Sequence, residues 1–141
     1  MRRPSRPILH KAVCLGLVIL PQMRAQAMPS PVISGRIASV TDGDTFRLTS
    51  GERIRIADID APESRRDQAK CTAELALGKA ASKRARALLT GQTISFTRRG
   101  KSWKRTVANV TWRGRDLGKA LIANGIARPW PRRRPKPDWC H

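Results

Sequence analysis

The sequence of 141 residues predicts one α+β domain, mainly β, in which five strands form a small closed or partly closed barrel with two helices. Three observations support this fold class. Short segments with alternating apolar side chains are separated by turn-forming residues. Two other segments have helix-capping residues at their ends. The predicted elements follow one another as three strands, a helix, two strands and a second helix.

The first three predicted strands are separated by two turns. The strands cover residues 32–40, 45–49 and 53–59, and the turns are Thr41–Asp44 and Ser50–Gly51. In a regular third strand Arg55 and Asp60 would point to opposite faces, because side chains alternate along a strand. A bend before Pro62 is therefore needed if these two residues are to share one site.

The first predicted helix covers residues 72–90. Thr72 is placed to cap its N-terminus, Glu74 suits the positive end of the helix dipole, and Gly91 follows its last turn. Gly78 weakens the helix by about 1 kcal/mol relative to alanine. The predicted apolar stripe consists of Leu77, Ala81, Ala85 and Leu88.

Two more strands are predicted at residues 93–98 and 106–112. Asp116 then caps a short helix that runs to Asn124 and is closed by Gly125. The predicted domain therefore covers residues 28–131. Residues 132–141 are predicted to be a basic, Pro/Arg-rich C-terminal tail with an extended chain.

The first 27 residues have the three-part pattern of a secretory signal peptide. Basic residues precede a short apolar run at 12–20, and Ala25-Gln26-Ala27 offers small residues for cleavage after Ala27. The apolar run is too short to span a bilayer, although an uncleaved anchor is the alternative. We therefore expect a secreted or periplasmic protein whose mature form has no transmembrane segment.

The composition is strongly basic, with 29 Lys and Arg against ten Asp and Glu and a formal net charge of +19. Removal of the signal peptide takes away five basic residues and lowers this charge to +14. Such an excess favours an anionic partner, either nucleic acid or an anionic surface. Charge supplies attraction for such a partner but no chemistry.

Two cysteines remain after cleavage, Cys71 and Cys140. An isolated pair usually forms a disulfide in an oxidising compartment. This bond would close a loop of about 70 residues and stabilise the fold by about 4 kcal/mol in the chain-entropy model. It would also hold a C-terminal segment that otherwise has little to fasten it.

The segment with the clearest chemistry combines acidic residues with an arginine. The turn Asp42-Gly43-Asp44-Thr45 is followed by Arg55 and then by Asp60-Ala61-Pro62-Glu63. Carboxylate oxygens bind hard cations, and an arginine can hold a phosphate through two donors. A carboxylate that does not bind the metal can orient or deprotonate a water molecule. These groups together indicate metal-assisted hydrolysis of a phosphodiester.

In order and spacing, these residues resemble the staphylococcal-type thermonucleases, the micrococcal nuclease family. Weaker support comes from Arg105-Thr106-Val107-Ala108 and from the segment between Asp116 and Ala127. The resemblance covers about residues 32–130 and implies an OB-fold barrel. It also implies a secreted, calcium-dependent nuclease that acts on DNA, RNA or both. In that family the 5′-oxygen–phosphorus bond is broken and 3′-phosphate ends remain.

The resemblance also implies roles for single residues. Asp44 and Asp60 would bind Ca²⁺ through their carboxylates, and Ala61 would bind it through its main-chain carbonyl. Asp42 would support the turn and would not bind the metal directly. We expect Ca²⁺ as the cofactor, nucleic acid as the partner and a monomer as the functional unit.

Three residues would act on the substrate by the same resemblance. Glu63 would be the general base or would position the attacking water, while Arg55 and Arg105 would bind the phosphate. The chain departs from the family pattern at Trp103-Lys104, where Tyr-Gly is usual, and at Asp58, where an apolar residue or glycine is usual. Since the chain contains no tyrosine, stacking on a nucleotide base would fall to Trp103 or Trp130.

Two other functions remain open at this point. One is a non-catalytic OB-fold protein that binds nucleic acid by charge and stacking. The other is a cationic secreted protein that acts on anionic surfaces through Arg132–Arg134. A basic binding module would not need Asp44, Asp60 and Glu63, so their presence favours the nuclease.

Overall fold

The computed structural model describes residues 28–141, and the predicted signal peptide lies outside the described residues. The elements of this part of the chain are β1 (Val32–Asp42), β2 (Thr45–Leu48), β3 (Arg53–Ile56), β4 (Ile59–Asp60), α1 (Thr72–Leu89), β5 (Thr93–Ser102), β6 (Arg105–Trp112), β7 (Arg115–Asp116), α2 (Leu117–Ala123) and β8 (Arg128–Pro129). No helix in residues 28–141 is long and apolar enough to cross a membrane.

Five strands close into a barrel. β1 pairs with β2 and β5, β2 pairs with β3, and β5 pairs with β6, all antiparallel. A parallel pairing of β3 with β6 completes the closure, while β4 and β8 form a separate two-stranded sheet. The predicted fold is confirmed: an α+β, mainly β domain with a five-stranded OB-fold barrel and two helices.

The apolar core of the barrel fixes the direction of the side chains on β3. Ile54 and Ile56 are 0% and 2% exposed and point into the core. Arg55, between them, must point to the opposite face because side chains alternate along a strand. The core thus holds Arg55 on the outer face of the barrel, where the acidic residues also lie.

A tight turn at Ala57–Asp58 separates β3 from β4, so the continuous strand predicted at 53–59 is wrong. Asp58 has a φ of +59°, in the left-handed region that glycine adopts more readily than other residues. Its carbonyl accepts a hydrogen bond from the main-chain N–H of Trp130 at 2.8 Å. The turn interrupts the alternation and brings Asp60 to the side of Arg55, which supplies the bend that the sequence required.

Helix α1 agrees with the predicted range but differs in its cap and in its buried face. Cys71 is the N-cap, and its Sγ accepts a hydrogen bond from the N–H of Glu74 at 3.3 Å, so the expected cap at Thr72 is wrong. Leu77, predicted to be apolar core, is 46% exposed, whereas Leu89 is buried. The buried face of α1 therefore contains Glu74 and Gly78, and Leu77 lies outside this face.

Gly78 lies against the loop that carries Glu63. A Cβ atom on Gly78 would be 2.1 Å from the carbonyl oxygen of Glu63, a distance that atoms cannot adopt. The cost of glycine within the helix is therefore offset by a close approach between helix and loop. The buried carboxylate of Glu74 adds hydrogen bonds from the main-chain N–H groups of Lys70 at 2.7 Å and Glu63 at 3.4 Å.

The short helix α2 agrees with its prediction. The side chain of Asp116 caps it by accepting a hydrogen bond from the N–H of Lys119 at 2.8 Å. Asn124 is the C-cap, and Gly125 follows with a φ of +64°. Capping residues were therefore reliable indicators at both ends of this helix.

The end of the chain is held against the domain. Cys71 and Cys140 form a disulfide with their Cα atoms 6.1 Å apart, which confirms the predicted bond. Trp139 is 9% exposed and packs next to Asp60. The prediction of residues 132–141 as an extended tail apart from the domain does not include this packing.

We predict that Gly78→Ala lowers the free energy of unfolding by more than about 1 kcal/mol, because the added Cβ overlaps the Glu63 carbonyl. Helix propensity alone would give the opposite result, a gain of about 1 kcal/mol. Equilibrium denaturation in urea measures the difference. Ala76→Gly, at an exposed position of the same helix, is the control and should lose about 1 kcal/mol by propensity. A more stable Gly78→Ala variant would refute the close packing.

Candidate active site

One pocket of about 650 Å³ contains all six residues that the sequence analysis selected. These are Asp44, Arg55, Asp60, Ala61, Glu63 and Arg105. They come from the β1–β2 turn, from β3 and β4, from the loop after β4 and from the start of β6. The fold therefore brings distant parts of the chain to one place.

The turn between β1 and β2 places Asp44 beside Ala61. The carboxylate of Asp44 accepts hydrogen bonds from Thr45 Oγ1 at 2.8 Å and from the main-chain N–H of Ala61 at 3.0 Å. A Cβ atom on Gly43 would lie 2.8 Å from the Cβ of Ala61. Glycine at position 43 thus allows the turn to come close enough for Asp44 to reach the Asp60–Ala61 segment.

Arg55 connects the two buried aspartates of the pocket. Its Nη2 lies 3.3 Å from Asp44 Oδ2 and 3.4 Å from Asp60 Oδ1. The side chains of these aspartates are only 8% and 2% exposed. The guanidinium carbon of Arg55 also lies 5.2 Å from the ring centre of Trp130, within the range of a cation–π contact. One arginine therefore contacts two carboxylates and also an aromatic ring.

The charge of Asp60 is only partly compensated. Burial raises the pKa of Asp60, and the nearby charge of Asp44 adds to this effect. The hydrogen bond from Trp139 Nε1, at 2.9 Å from Oδ2, and the charges of Lys136 and Arg55 act in the other direction. The net result is a pKa above the ordinary value, because desolvation outweighs the surrounding positive groups.

The loop that carries Glu63 is fixed through its main chain. Glu74 accepts a hydrogen bond from the Glu63 N–H, and Gly78 leaves room for the Glu63 carbonyl. In the next residue, Ser64 Oγ donates to Asp42 Oδ1 at 2.6 Å. Asp42 therefore supports the loop through its contact with Ser64.

Lys136 lies inside the pocket and was missed by the sequence analysis. Its Nζ is 3.0 Å from Glu63 Oε1 and 3.6 Å from Asp60 Oδ1. Burial lowers the pKa of Lys136, but the hydrogen bond with Glu63 and the charges of Asp60, Glu63 and Glu74 raise it more. The pKa consequently lies above the ordinary value of lysine, and the side chain is cationic at neutral pH.

The sequence did contain an indication of this contact. A disulfide to Cys71 holds Cys140 at the start of α1, and the loop after Glu63 leads into the same helix. The disulfide therefore limits how far from Glu63 the residues just before Cys140 can lie. The Pro/Arg-rich composition of the segment concealed this consequence, since it is typical of an extended tail.

Arg105 and Trp103 stand at the rim of the pocket. They flank Lys104 in the short connection between β5 and β6. Trp103 has a φ of +56° and is 93% exposed, so it is not a packed core residue. Its indole ring is exposed to solvent at the pocket. Trp103 stands at the sequence position where the family pattern usually has tyrosine.

The donors of the pocket suit a hard cation but do not surround one. Within residues 28–141 no three His, Cys, Asp or Glu side chains converge on one point. Asp44 and Asp60 offer carboxylate oxygens, and Ala61 adds an adjacent main-chain carbonyl. Oxygen donors of these kinds are the ligands that Ca²⁺ prefers, and water or substrate oxygens commonly complete its coordination. The donors present therefore fit Ca²⁺, although the protein itself would supply only a few of the ligands.

The pocket is acidic although the protein is basic. Four carboxylates line it, those of Asp42, Asp44, Asp60 and Glu63, against the three cationic side chains of Arg55, Arg105 and Lys136. This excess of negative charge contrasts with the net charge of +19 for the whole chain. A phosphate approaching the pocket would meet repulsion from the carboxylates unless a further cation were present.

Comparison with known proteins agrees with this arrangement. A family model described as staphylococcal nuclease homologue matches residues 53–138, which is more than half of the chain. The matched range contains Arg55, Asp60, Glu63, Arg105 and Lys136, while Asp44 lies before it. A comparison with curated proteins finds no match. The resemblance noted in the sequence is confirmed, and the chain belongs to the staphylococcal nuclease homologue family.

Proposed function

We propose that this protein is a secreted, Ca²⁺-dependent nuclease, a phosphodiesterase that hydrolyses DNA, RNA or both. The observation that carries the proposal is the convergence of Asp44, Asp60, Glu63 and Arg55 on one pocket, in a chain of this family. The signal-peptide pattern and the disulfide support secretion. We further propose that the protein acts as a monomer.

Arg55 and Arg105 would hold the scissile phosphate. In the described part of the chain all three side-chain hydrogen bonds of Arg55 use Nη2, so Nη1 and Nε remain as donors for a phosphate oxygen. Negative charge grows on the phosphate oxygens as the phosphorus becomes pentacoordinate. Cations fixed in advance stabilise that charge more than they stabilise the substrate, and this difference lowers the barrier.

Glu63 would act on the attacking water. Its side chain is 26% exposed, which leaves it accessible from the pocket, while its main chain is held by Glu74 and Gly78. A carboxylate fixed in this way can orient a water molecule and accept its proton. The contact of Lys136 with Oε1 limits the rotation of the carboxylate, so Oε2 is the oxygen that we assign to the water.

Asp44, Asp60 and the carbonyl of Ala61 would hold the metal. Ca²⁺ bound there would act as a Lewis acid on a phosphate oxygen and neutralise part of the negative charge of the pocket. The burial of both aspartates supports this assignment, because an additional positive charge stabilises two carboxylates that are close together and poorly hydrated.

The basic surface would bind the polynucleotide beside the scissile bond. A second cleft, of about 400 Å³, shares Arg55 and Trp130 with the acidic pocket and is lined by the exposed residues Arg132–Arg134. Arginines of this kind contact phosphates without taking part in the reaction, and an indole ring can stack on a base. This cleft would therefore contribute to affinity and not to the chemical step.

Removal of Ca²⁺ is expected to abolish hydrolysis, because the two buried carboxylates would then repel the phosphate. The test is cleavage of plasmid DNA and of single-stranded RNA by the exported protein with Ca²⁺, with excess EGTA, and after Ca²⁺ is added back. Loss of cleavage in EGTA and recovery on addition support the metal assignment. Full activity in excess chelator would show that it is wrong.

Glu63→Gln should lower kcat by at least the roughly 10²-fold typical of one general base. The substitution keeps the size of the side chain and an oxygen for Lys136, so folding should be unaffected. Steady-state kinetics on DNA in the presence of Ca²⁺ gives kcat and KM separately. The control is Asp67→Asn in the same loop, an exposed carboxylate paired with Arg65, which should keep normal kcat. If Glu63→Gln also keeps normal kcat, the alternative of a non-catalytic nucleic-acid-binding protein is favoured.

Neutralising Arg132, Arg133 and Arg134 to Gln should raise KM and leave kcat nearly unchanged. The slope of log KM against log salt concentration should flatten by as much as about 3, since each phosphate contact contributes about 0.9 on duplex DNA. Kinetics at several salt concentrations measures both quantities.

The matched control for this triple variant removes three charges elsewhere. Lys79 and Lys83 on α1 and Lys119 on α2 are exposed, and Gln at these positions should change the salt dependence much less. Equal effects of the two triple variants would mean that only the net charge matters and that the second cleft has no special role.

A further inference from the structure

We propose that Lys136 is a resident cation of the acidic pocket, which competes with the divalent ion and sets the affinity of the site for it. This inference rests on the proposed function, since it takes Asp44 and Asp60 as the metal ligands. It concerns a residue of the C-terminal segment that the resemblance to known nucleases did not assign.

The ammonium group of Lys136 lies close to two carboxylates of the pocket. Lys136 Nζ contacts Glu63 Oε1 at 3.0 Å and Asp60 Oδ1 at 3.6 Å, and its side chain is only 30% exposed. Asp60 Oδ1 is also the oxygen that Arg55 contacts, and Asp60 Oδ2 accepts the hydrogen bond from Trp139. A metal ion at Asp60 must therefore share the carboxylate with donors that already hold both of its oxygens.

Lys136 is also held in place by its neighbours in the chain. Four residues later, Cys140 is covalently bound to Cys71, and Trp139 is buried with its Nε1 on Asp60. Pro135 and Pro137 flank Lys136 and restrict its backbone. A lysine delivered by such a segment has less freedom to leave the carboxylates than a lysine on an open surface.

The charge of Lys136 acts against a metal ion at the same carboxylates. A positive charge next to a carboxylate reduces the gain from a second cation there, both by repulsion and by occupying oxygen lone pairs. The effect should be large at this site, because the protein supplies only two carboxylates and a carbonyl for the metal. Lys136 would therefore weaken Ca²⁺ binding, while it compensates the charges of Asp60 and Glu63 when Ca²⁺ is not bound.

The test measures Ca²⁺ binding directly and not the activity of the loaded enzyme. Isothermal titration calorimetry of the mature, disulfide-bonded protein with CaCl₂, at constant ionic strength, gives the dissociation constant. Lys136→Met keeps the length of the side chain and removes its charge. We expect it to bind Ca²⁺ roughly tenfold or more tightly than the unchanged protein, because removing a positive charge a few ångströms from a divalent cation relieves their repulsion.

Further variants separate this role from a general charge effect. Lys119→Met, on the exposed face of α2, removes the same charge and should leave the dissociation constant unchanged. Lys136→Arg keeps a cation and should retain the weak binding. Cys140→Ser frees the segment and should also tighten binding, and Lys136→Met should add little to it in the double variant.

Other outcomes overturn the inference. Equal and measurable affinities for Lys136→Met and the unchanged protein would mean that Lys136 only fastens the C-terminal segment, and the proposed nuclease would still stand. Weaker binding by Lys136→Met would mean that the lysine organises the ligands and does not compete with the metal. If neither protein binds Ca²⁺ while both are folded, the inference fails together with the metal assignment of the proposed function.

Discussion

The contact of Arg55 with Asp44 and Asp60 is the interaction on which the rest of the site depends. Two nearly buried carboxylates repel each other and lose hydration, so a cation between them stabilises their close approach. Closure of the barrel through β3 and β6 fixes the strand, and the buried Ile54 and Ile56 fix the face from which Arg55 projects. The aspartates then approach from the turn after β1 and from β4, and each meets the same guanidinium nitrogen.

The part of this arrangement that the sequence predicted is the part set by local rules. Alternating apolar residues, turn residues and caps indicated the barrel strands and both helices, because these patterns depend on neighbouring residues. The turn at Ala57–Asp58 escaped prediction for the opposite reason. The alternation of Ile54 and Ile56 ends at Ala57-Asp58, but the apolar Ile59 extends the strand-like segment, and Asp58 adopts a left-handed φ although it is not a glycine. The hydrogen bond from Trp130 that accompanies this turn comes from a distant part of the chain.

Other differences also arise from tertiary contacts. Propensity treats Gly78 as a weakness of α1, whereas the carbonyl of Glu63 requires the absence of a side chain there. The same contact turns Leu77 towards solvent. Lys136 belongs to a segment whose composition is that of an extended tail, and only the disulfide and the burial of Trp139 bring it to the pocket. The residues that share the pocket were thus predictable from their types and spacing, but the contacts that support them were not.

The combination of a basic surface with an acidic pocket has a consequence for how the proposed nuclease would work. A polynucleotide would be attracted to the protein by the general positive charge, for instance at Arg132–Arg134, without any metal. The scissile phosphate, however, could approach Arg55 closely only when the charges of Asp44, Asp60 and Glu63 are balanced by cations. Lys136 supplies one such cation from the chain itself, and a bound metal would supply the rest. Binding of the polynucleotide and approach of its scissile phosphate to Arg55 would therefore be separate steps. The first would depend on the basic surface, and the second would depend on the cations inside the pocket.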